Sequence, residues 1–177
     1  MKSVLPALLL IVVLYSSCKK INESIDRDIK ITPVGQKVSF PIIDNTRTVY
    51  LLSDMSVTID VNDLLQKATG DEFNSDNIRS ITLSALKIVL ENPDSLNNFR
   101  NLESLNFQID TLTLAGLTNN PDSPADSISI PIQASTIELK ELVKSTIKYR
   151  VNGIARKPTT RVISATIIPT YKVSLSR

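Results

Sequence analysis

The chain has 177 residues and a formal net charge of +2, with 42% hydrophobic and 21% charged residues. This balance is typical of a globular domain and not of a disordered chain. Histidine and tryptophan are absent and there is a single cysteine, which excludes Ser-His and Cys-His dyads, imidazole metal ligands and any intrachain disulfide bond. Only carboxylates, lysines and hydroxyls remain for chemistry, so we expect a protein without cofactor or catalytic site.

The first eighteen residues predict where the protein is located. Lys2 precedes an eleven-residue apolar run over 4–14, which is too short to cross a hydrocarbon core of ~30 Å. It has the length of a signal-peptide core instead. The segment LYSSC over 14–18, which ends at Cys18, resembles the lipobox of bacterial lipoproteins. The leader is similar to those of Bacteroidota lipoproteins of uncharacterised function.

That resemblance implies that residues 1–17 are removed and that Cys18 carries the lipid anchoring the mature protein in the outer membrane, in the periplasmic leaflet or at the cell surface. The alternative is a secreted protein whose cysteine merely lies near the cleavage site. Residues 18–32 are interpreted as the lipidated cysteine and a polar tether. The alternative is that the last part of this segment pairs with the domain as an edge strand. Pro33 and Gly35 mark the start of one domain over 33–177.

The domain is predicted to be all-β, because apolar and polar residues alternate with a period of two in several segments. These segments lie around 38–42, 57–61, 128–133, 147–151 and 163–175. Pro169 lies within the last of them and cannot donate a backbone hydrogen bond, so an edge position or a bulge is expected there.

Two further segments change parity. In 81–90 the apolar positions shift after Ala85, which predicts either a bulge or a central strand covered on both faces. The stretch 107–114 shows the same shift and is interpreted as a second core strand. The connection over 92–104 is expected to hold one or two short helical turns. Together these features predict a single immunoglobulin-like β-sandwich of about eight antiparallel strands.

An internal echo links residues 58–65 (TIDVNDLL) with residues 136–143 (TIELKELV). Both copies are predicted to be a strand end that turns into a short helix, and the first helix is expected to close at Gly70. A capping box of Ser135 and Glu138, opening a helix at 136, is the alternative for the second copy.

Charge is distributed unevenly along the chain. Residues 18–139 have a balance of −7, whereas residues 140–177 have a balance of +8. One interpretation is a basic face for lipid phosphates, acidic glycans or an acidic partner, formed by Lys144, Lys148, Arg150, Arg156, Lys157 and Arg161. The other is that these residues pair with acidic side chains on neighbouring strands. Nucleic acid is not expected as a partner of an exported protein.

Three further hypotheses concern local motifs and residue types. The loop over 70–77 gathers five Asp, Glu and Asn side chains, the ligand types of extracellular calcium sites, although such loops are also routine between strands. Three Asp-Ser/Thr-apolar triplets, which begin at Asp94, Asp110 and Asp126, resemble Bacteroidota O-glycosylation sites. A pair of carboxylates could also act as a glycosidase.

The function predicted from these features is that of a non-enzymatic outer-membrane lipoprotein, a binding or accessory module of a cell-envelope assembly. A glycan-binding or adhesin module is the second hypothesis, and it would require exposed Tyr or Phe rings. A carboxylate hydrolase is the third, and it would require two carboxylates about 5–10 Å apart in a concave pocket.

Overall fold

The computed structural model describes residues 25–140 and 146–177. These residues form nine strands and one α-helix. The strands are β1 (Asp26–Ile31), β2 (Gln36–Phe40), β3 (Val49–Thr58), β4 (Ile78–Leu90), β5 (Leu102–Ile109), β6 (Leu112–Leu117), β7 (Ser127–Ser129), β8 (Thr146–Ala155) and β9 (Ile163–Ser176), and α1 spans Val61–Thr69. Short 3₁₀ turns cover Gly70–Glu72, Ser75–Asn77 and Phe99–Asn101.

The strands form two sheets in which every pairing is antiparallel. The first sheet has the order β1-β9-β4-β7, with β2 following β1 along the same edge of β9, and the second has the order β3-β8-β5-β6. The prediction of a single antiparallel β-sandwich is confirmed. The strand orders, in which the last strand β9 lies between β1 and β4, are those of a jelly roll. They are not those of the immunoglobulin-like sandwich that the sequence predicted, because strand order depends on contacts between distant segments that a local pattern does not contain.

The two ends of the sandwich differ in character. We call one end the loop pole; it contains the connecting segments 41–48, 91–101, 118–126 and 156–162. The other, the helix pole, contains α1, the loop over 70–77, the turn between β5 and β6, and both ends of the folded body. At the helix pole Ile25 and Arg177 exchange two backbone hydrogen bonds of 3.1 and 3.2 Å.

The core lies between the sheets and is apolar, with one buried polar contact at its centre. Inward residues of β9 and β8, such as Ile167 and Val151, are fully buried. Tyr149 on β8 and Tyr171 on β9 join their hydroxyl groups across the core at 2.5 Å, and Phe107 packs edge-on against the Tyr149 ring at 5.2 Å. Burial raises the pKa of Tyr149 to about 12.

The shifts in the alternation of apolar residues in 81–90 and in 107–114 have different causes. In β4 the pairing with β9 shifts between Leu83 and Ala85, so the bulge that was one of the two alternatives is present. The stretch 107–114 is not one core strand, because β5 ends at Ile109 and β6 begins at Leu112. Asp110 takes the left-handed conformation at φ 52° in the tight turn between them, and a turn reverses the faces as a bulge does.

Residues 26–31, within the segment interpreted as a tether, form β1 at the edge of the first sheet. This is the edge-strand alternative for that stretch. β1 pairs with β9 over 171–176 and β2 pairs with it over 163–167. Pro169 lies in the interval between these two pairings and opposite Leu86, one residue beyond the β4 bulge. A residue without a backbone donor is therefore tolerated in an interior strand.

The first copy of the internal echo is the predicted strand-to-helix transition. Asp60 caps α1 by accepting a hydrogen bond from the Asp63 amide at 3.0 Å, and Gly70 closes the helix at φ 67°. In the second copy, residues 136–140 are turn and irregular backbone, so no helix opens at 136. Glu138 instead accepts a hydrogen bond from the Ile81 amide at 2.8 Å, which fastens this segment along β4. Residues 141–145 lie outside the described residues.

Candidate functional site

The structure divides the predicted basic face between two places. Lys148 and Arg150 point outward from β8, where Arg150 forms an ion pair of 2.8 Å with Asp54 on β3. Arg156, Lys157 and Arg161 lie instead in the segment 156–162 at the loop pole. Lys144 lies outside the described residues.

Three of these cations pair with acidic side chains, and Arg150 does so across neighbouring strands, as the alternative interpretation expected. The pair that Lys157 makes belongs to the cluster described next. In addition to the Arg150–Asp54 pair, the Arg161 guanidinium contacts a carboxylate oxygen of Asp94 at 3.0 Å and donates to the Asn92 carbonyl. Both pairs are partly exposed to solvent, so each contributes little to stability. Each pair neutralises the charges of its own two members.

A cluster of three cations at the loop pole shares one carboxylate. Lys157 Nζ lies 2.7 and 2.8 Å from the two oxygens of Asp122, and Arg100 Nε lies 3.3 Å from one of them. Arg156 is close enough to lower the pKa of Asp122 further, although the hydrogen bond from Lys157 is the largest cause. We call Arg100, Arg156, Lys157 and Asp122 the cation cluster.

Sequence reasoning did not include Arg100 in the basic face, because it lies in the acidic part of the chain. It reaches the cluster because the Phe99–Asn101 turn packs against the segment 156–162. The Asn101 carbonyl accepts hydrogen bonds from the amides of Arg156 and Lys157 at 2.7 and 3.1 Å.

A network of buried asparagines holds three segments of the loop pole together, over 91–101, 118–126 and 156–162. Asn97 joins Asp94 to Thr160, with hydrogen bonds of 2.9 and 3.0 Å. Asn101 donates to the carbonyl of Pro158, and Asn120 donates to the carbonyls of Phe99 and Leu102. Because each of these amides is buried and paired, the loop pole is a fixed surface rather than a set of independent loops.

The same pole exposes apolar side chains. Ile42, Leu96 and Val162 are each half exposed or more. They lie on the segments 41–48, 91–101 and 156–162, of which the asparagine network joins the last two. Ile43 and Thr159 exchange two hydrogen bonds of 2.9 Å, which ties the first of these segments to the last. The loop pole therefore combines apolar and cationic side chains on one surface.

The loop over 70–77 uses its polar groups in its own folding. Asn74 and Asn77 form a reciprocal capping box, Gln66 donates to Asp71 at 2.8 Å, and Arg27 pairs with Glu72 at 2.9 Å. Among residues 25–140 and 146–177, no group of three or more acidic, histidine or cysteine side chains is arranged to hold a metal ion. The calcium hypothesis gains no support from these contacts.

The aromatic rings of the described residues face the core. All four phenylalanines are buried, as are Tyr149 and Tyr171. Tyr50 is half-buried and its hydroxyl donates to a carboxylate oxygen of Asp44 at 2.6 Å. The described surface therefore lacks the cluster of exposed rings that the glycan-binding hypothesis requires.

The carboxylates with shifted pKa values all shift downward. The pKa of Asp94 falls to about 2, mainly because Asn97 and the Leu96 amide donate hydrogen bonds to it. Asp28, Asp44, Asp54 and Asp122 have lowered pKa values for similar reasons, with Lys172, Tyr50, Arg150 and Lys157 as the respective main donors. A glycosidase acid needs a raised pKa, so these groups lend no support to a hydrolase.

The three Asp-Ser/Thr-apolar triplets occupy different settings. Ser95 lies exposed at the loop pole, Thr111 lies exposed at the turn between β5 and β6, and Ser127 is half-buried at the start of β7. Ser95 and Thr111 are the more accessible of the three hydroxyl groups.

The signal peptide and Cys18 lie outside the described residues. In the described part of the chain, the one α-helix is too short to span a membrane.

Comparison with known proteins adds little. Neither a family model nor a curated protein sequence matches this chain. A solved chain from Desmodium yellow mottle tymovirus aligns over 87% of this chain and 88% of its own length, with 16% identity and a TM-score of 0.28. A superposition of this quality does not establish a common fold.

Proposed function

We propose that the chain is a non-enzymatic lipoprotein, anchored in the outer membrane through Cys18, that serves as a binding or accessory module of a cell-envelope assembly. In this arrangement the helix pole lies towards the bilayer and the loop pole faces away from it. Partner binding then falls to the loop pole, where the cation cluster and the exposed apolar side chains lie.

The segment over 14–18, which resembles a lipobox, supports the anchor, and the orientation is supported by the position of Ile25. It is hydrogen-bonded to Arg177 at the helix pole, and it follows Cys18 by seven residues, which span at most ~25 Å when fully extended. The fourteen-residue strand β9 runs from the loop pole to the helix pole, a length of ~46 Å at the usual strand rise. A lipid on Cys18 would thus hold the helix pole near the bilayer.

The two alternatives draw less support from the described residues. A glycan-binding module would be expected to present rings, and these rings face the core instead. A hydrolase would place its carboxylates in a concave site, and the clearest setting is the depression of about 470 Å³ that Asp71 and Asp76 help to line. Asp71 accepts a hydrogen bond from Gln66 there, which favours its charged form and not the protonated form that a general acid needs.

The test is purification of the protein from native membranes, wild type beside Cys18→Ala, with the intact mass of the mature N-terminus measured in each. We expect a diacylated or triacylated Cys18 in the wild type and membrane association that the substitution abolishes. An unmodified Cys18 in a water-soluble wild-type protein would refute the proposal.

A further inference from the structure

The cation cluster carries a surplus of positive charge. Three cations surround Asp122, whose two oxygens are both taken by Lys157. Arg100 Nε lies within ion-pair distance of the same carboxylate, but it makes no hydrogen bond and is itself buried. A buried donor without a partner costs free energy, so Asp122 does not fully satisfy Arg100.

The cluster is accessible in the folded protein. The side chains of Arg100 and Lys157 are 32% and 37% exposed, and that of Asp122 is 50% exposed. Arg156, by contrast, donates hydrogen bonds to the carbonyls of Arg100 and Asn120. It therefore adds positive charge and also holds these two backbone segments in place. An anion arriving from solvent would therefore meet Arg100 and Lys157 first.

Apolar side chains lie on the same two segments as these cations. Leu96 precedes Arg100 within the segment 91–101, and Val162 follows Lys157 within the segment 156–162. The asparagine network fixes both segments, through the bonds from Asn97 to Thr160 and from Asn101 to Pro158. A fixed surface binds without first losing conformational freedom.

We propose that the loop pole is a docking site for an acidic segment of a partner protein, with its carboxylates at Arg100 and Lys157 and its apolar side chains against Leu96 and Val162. The chemistry favours a protein for two reasons. Exposed apolar side chains on the same segments as the cations suit a peptide that carries both carboxylates and apolar groups, and the described surface offers no exposed aromatic cluster for a sugar. This inference rests on the proposed function, because that orientation turns the site away from lipid headgroups.

The test measures binding of a fluorescent synthetic peptide of glutamate and leucine residues to the full chain in detergent micelles, by fluorescence anisotropy. A matched peptide with glutamine in place of glutamate is the chemical control. We expect the acidic peptide to bind, the neutral peptide to bind at least about tenfold more weakly, and the affinity to fall as salt is added.

Substitutions at the cluster should act in opposite directions. Lys157→Glu should weaken binding about tenfold, whereas Asp122→Asn should strengthen it about threefold because it removes the competing carboxylate. Lys30→Glu, an exposed site on β1 in the first sheet, makes the same change of net charge and should leave binding unchanged. Thermal melting of each variant confirms that it is folded.

Three results would overturn the inference. The first is weaker binding by Asp122→Asn, which would mean that the carboxylate is needed for the shape of the site. The second is equal weakening by Lys157→Glu and Lys30→Glu, which would indicate nonspecific attraction. The third is tighter binding to vesicles of phosphatidylglycerol than to the peptide, which would indicate a lipid ligand. Failure of the proposed function is separate, since it is detected by the mass of the mature N-terminus.

Discussion

The hydroxyl pair of Tyr149 and Tyr171 allows a quantitative test of how the two sheets are held together. The two oxygens are 2.5 Å apart, and both residues are almost completely excluded from solvent. No third polar group in the described residues hydrogen-bonds to either hydroxyl, so each oxygen depends on the other. Removing one hydroxyl therefore leaves a buried polar group without a partner.

The expected magnitudes follow from that dependence. Tyr149→Phe and Tyr171→Phe should each lower the free energy of unfolding by about 1–3 kcal/mol. The double variant replaces both hydroxyl-bearing rings by apolar rings of similar shape. Its loss of unfolding free energy should therefore be smaller than the sum of the two single losses, by a coupling energy of about 1–2 kcal/mol.

The assay is urea unfolding of the wild type, both single variants and the double variant, with thermal melting as a second measure. For a domain of this size, each kcal/mol corresponds to about 2–4 °C in Tm. Tyr50→Phe serves as a control outside the core, since its hydroxyl bonds Asp44 at the surface. Additive single-variant effects, or single variants as stable as the wild type, would refute the reasoning.

Three further predictions concern stability. Burial raises the pKa of Tyr149 to about 12 and that of Tyr171 further. The stability that the two tyrosines contribute is therefore complete below pH ~10 and is lost as pH rises towards ~12. The urea concentration at the unfolding midpoint should fall over that range, and it should fall less steeply in the Tyr149→Phe/Tyr171→Phe variant. The pKa of Asp94 is lowered to about 2, so its contribution to the free energy of unfolding is present above pH ~4 and is lost as pH falls towards 2. In Asp94→Asn, stability should therefore fall less steeply between pH ~4 and pH ~2, and an unchanged slope would contradict this. Gly70 has φ 67° and ψ −147°, so Gly70→Ala should lower stability by about 1–3 kcal/mol, measured by urea unfolding, although a Cβ would meet no atom within 4 Å.

Alternation of residues was sufficient to predict the sandwich, because each inner face must bury its apolar side chains. It predicted nearly the full length of the last strand, and it predicted the point in β4 where the buried positions change from one alternation to the other. It could not distinguish a bulge from a turn: β4 bulges after Leu83, whereas the same pattern at 107–114 is a hairpin around Asp110. The order of strands in the sheets depends on contacts between distant segments, which a local pattern does not contain.

The candidate site was only partly visible in the sequence for a related reason. Arg156 and Lys157 stand out in the basic part of the chain, but Arg100 lies among acidic residues and reaches them through the fold. The asparagines that fix the loop pole are polar residues in a connecting segment, a composition that normally indicates exposure. The three asparagines in the segment NNFRN over 97–101 are the local signal of that network.

The most direct test of the proposed orientation compares two probes on the anchored protein in lipid bilayers. Ser95→Cys and Thr111→Cys place a fluorophore at the loop pole and at the turn of the helix pole, both at exposed positions, while a lipidated Cys18 offers no competing thiol. We expect quenching by headgroup-labelled lipid to be strong at position 111 and weak at position 95. Equal quenching, or stronger quenching at position 95, would contradict anchoring at the helix pole and presentation of the loop pole.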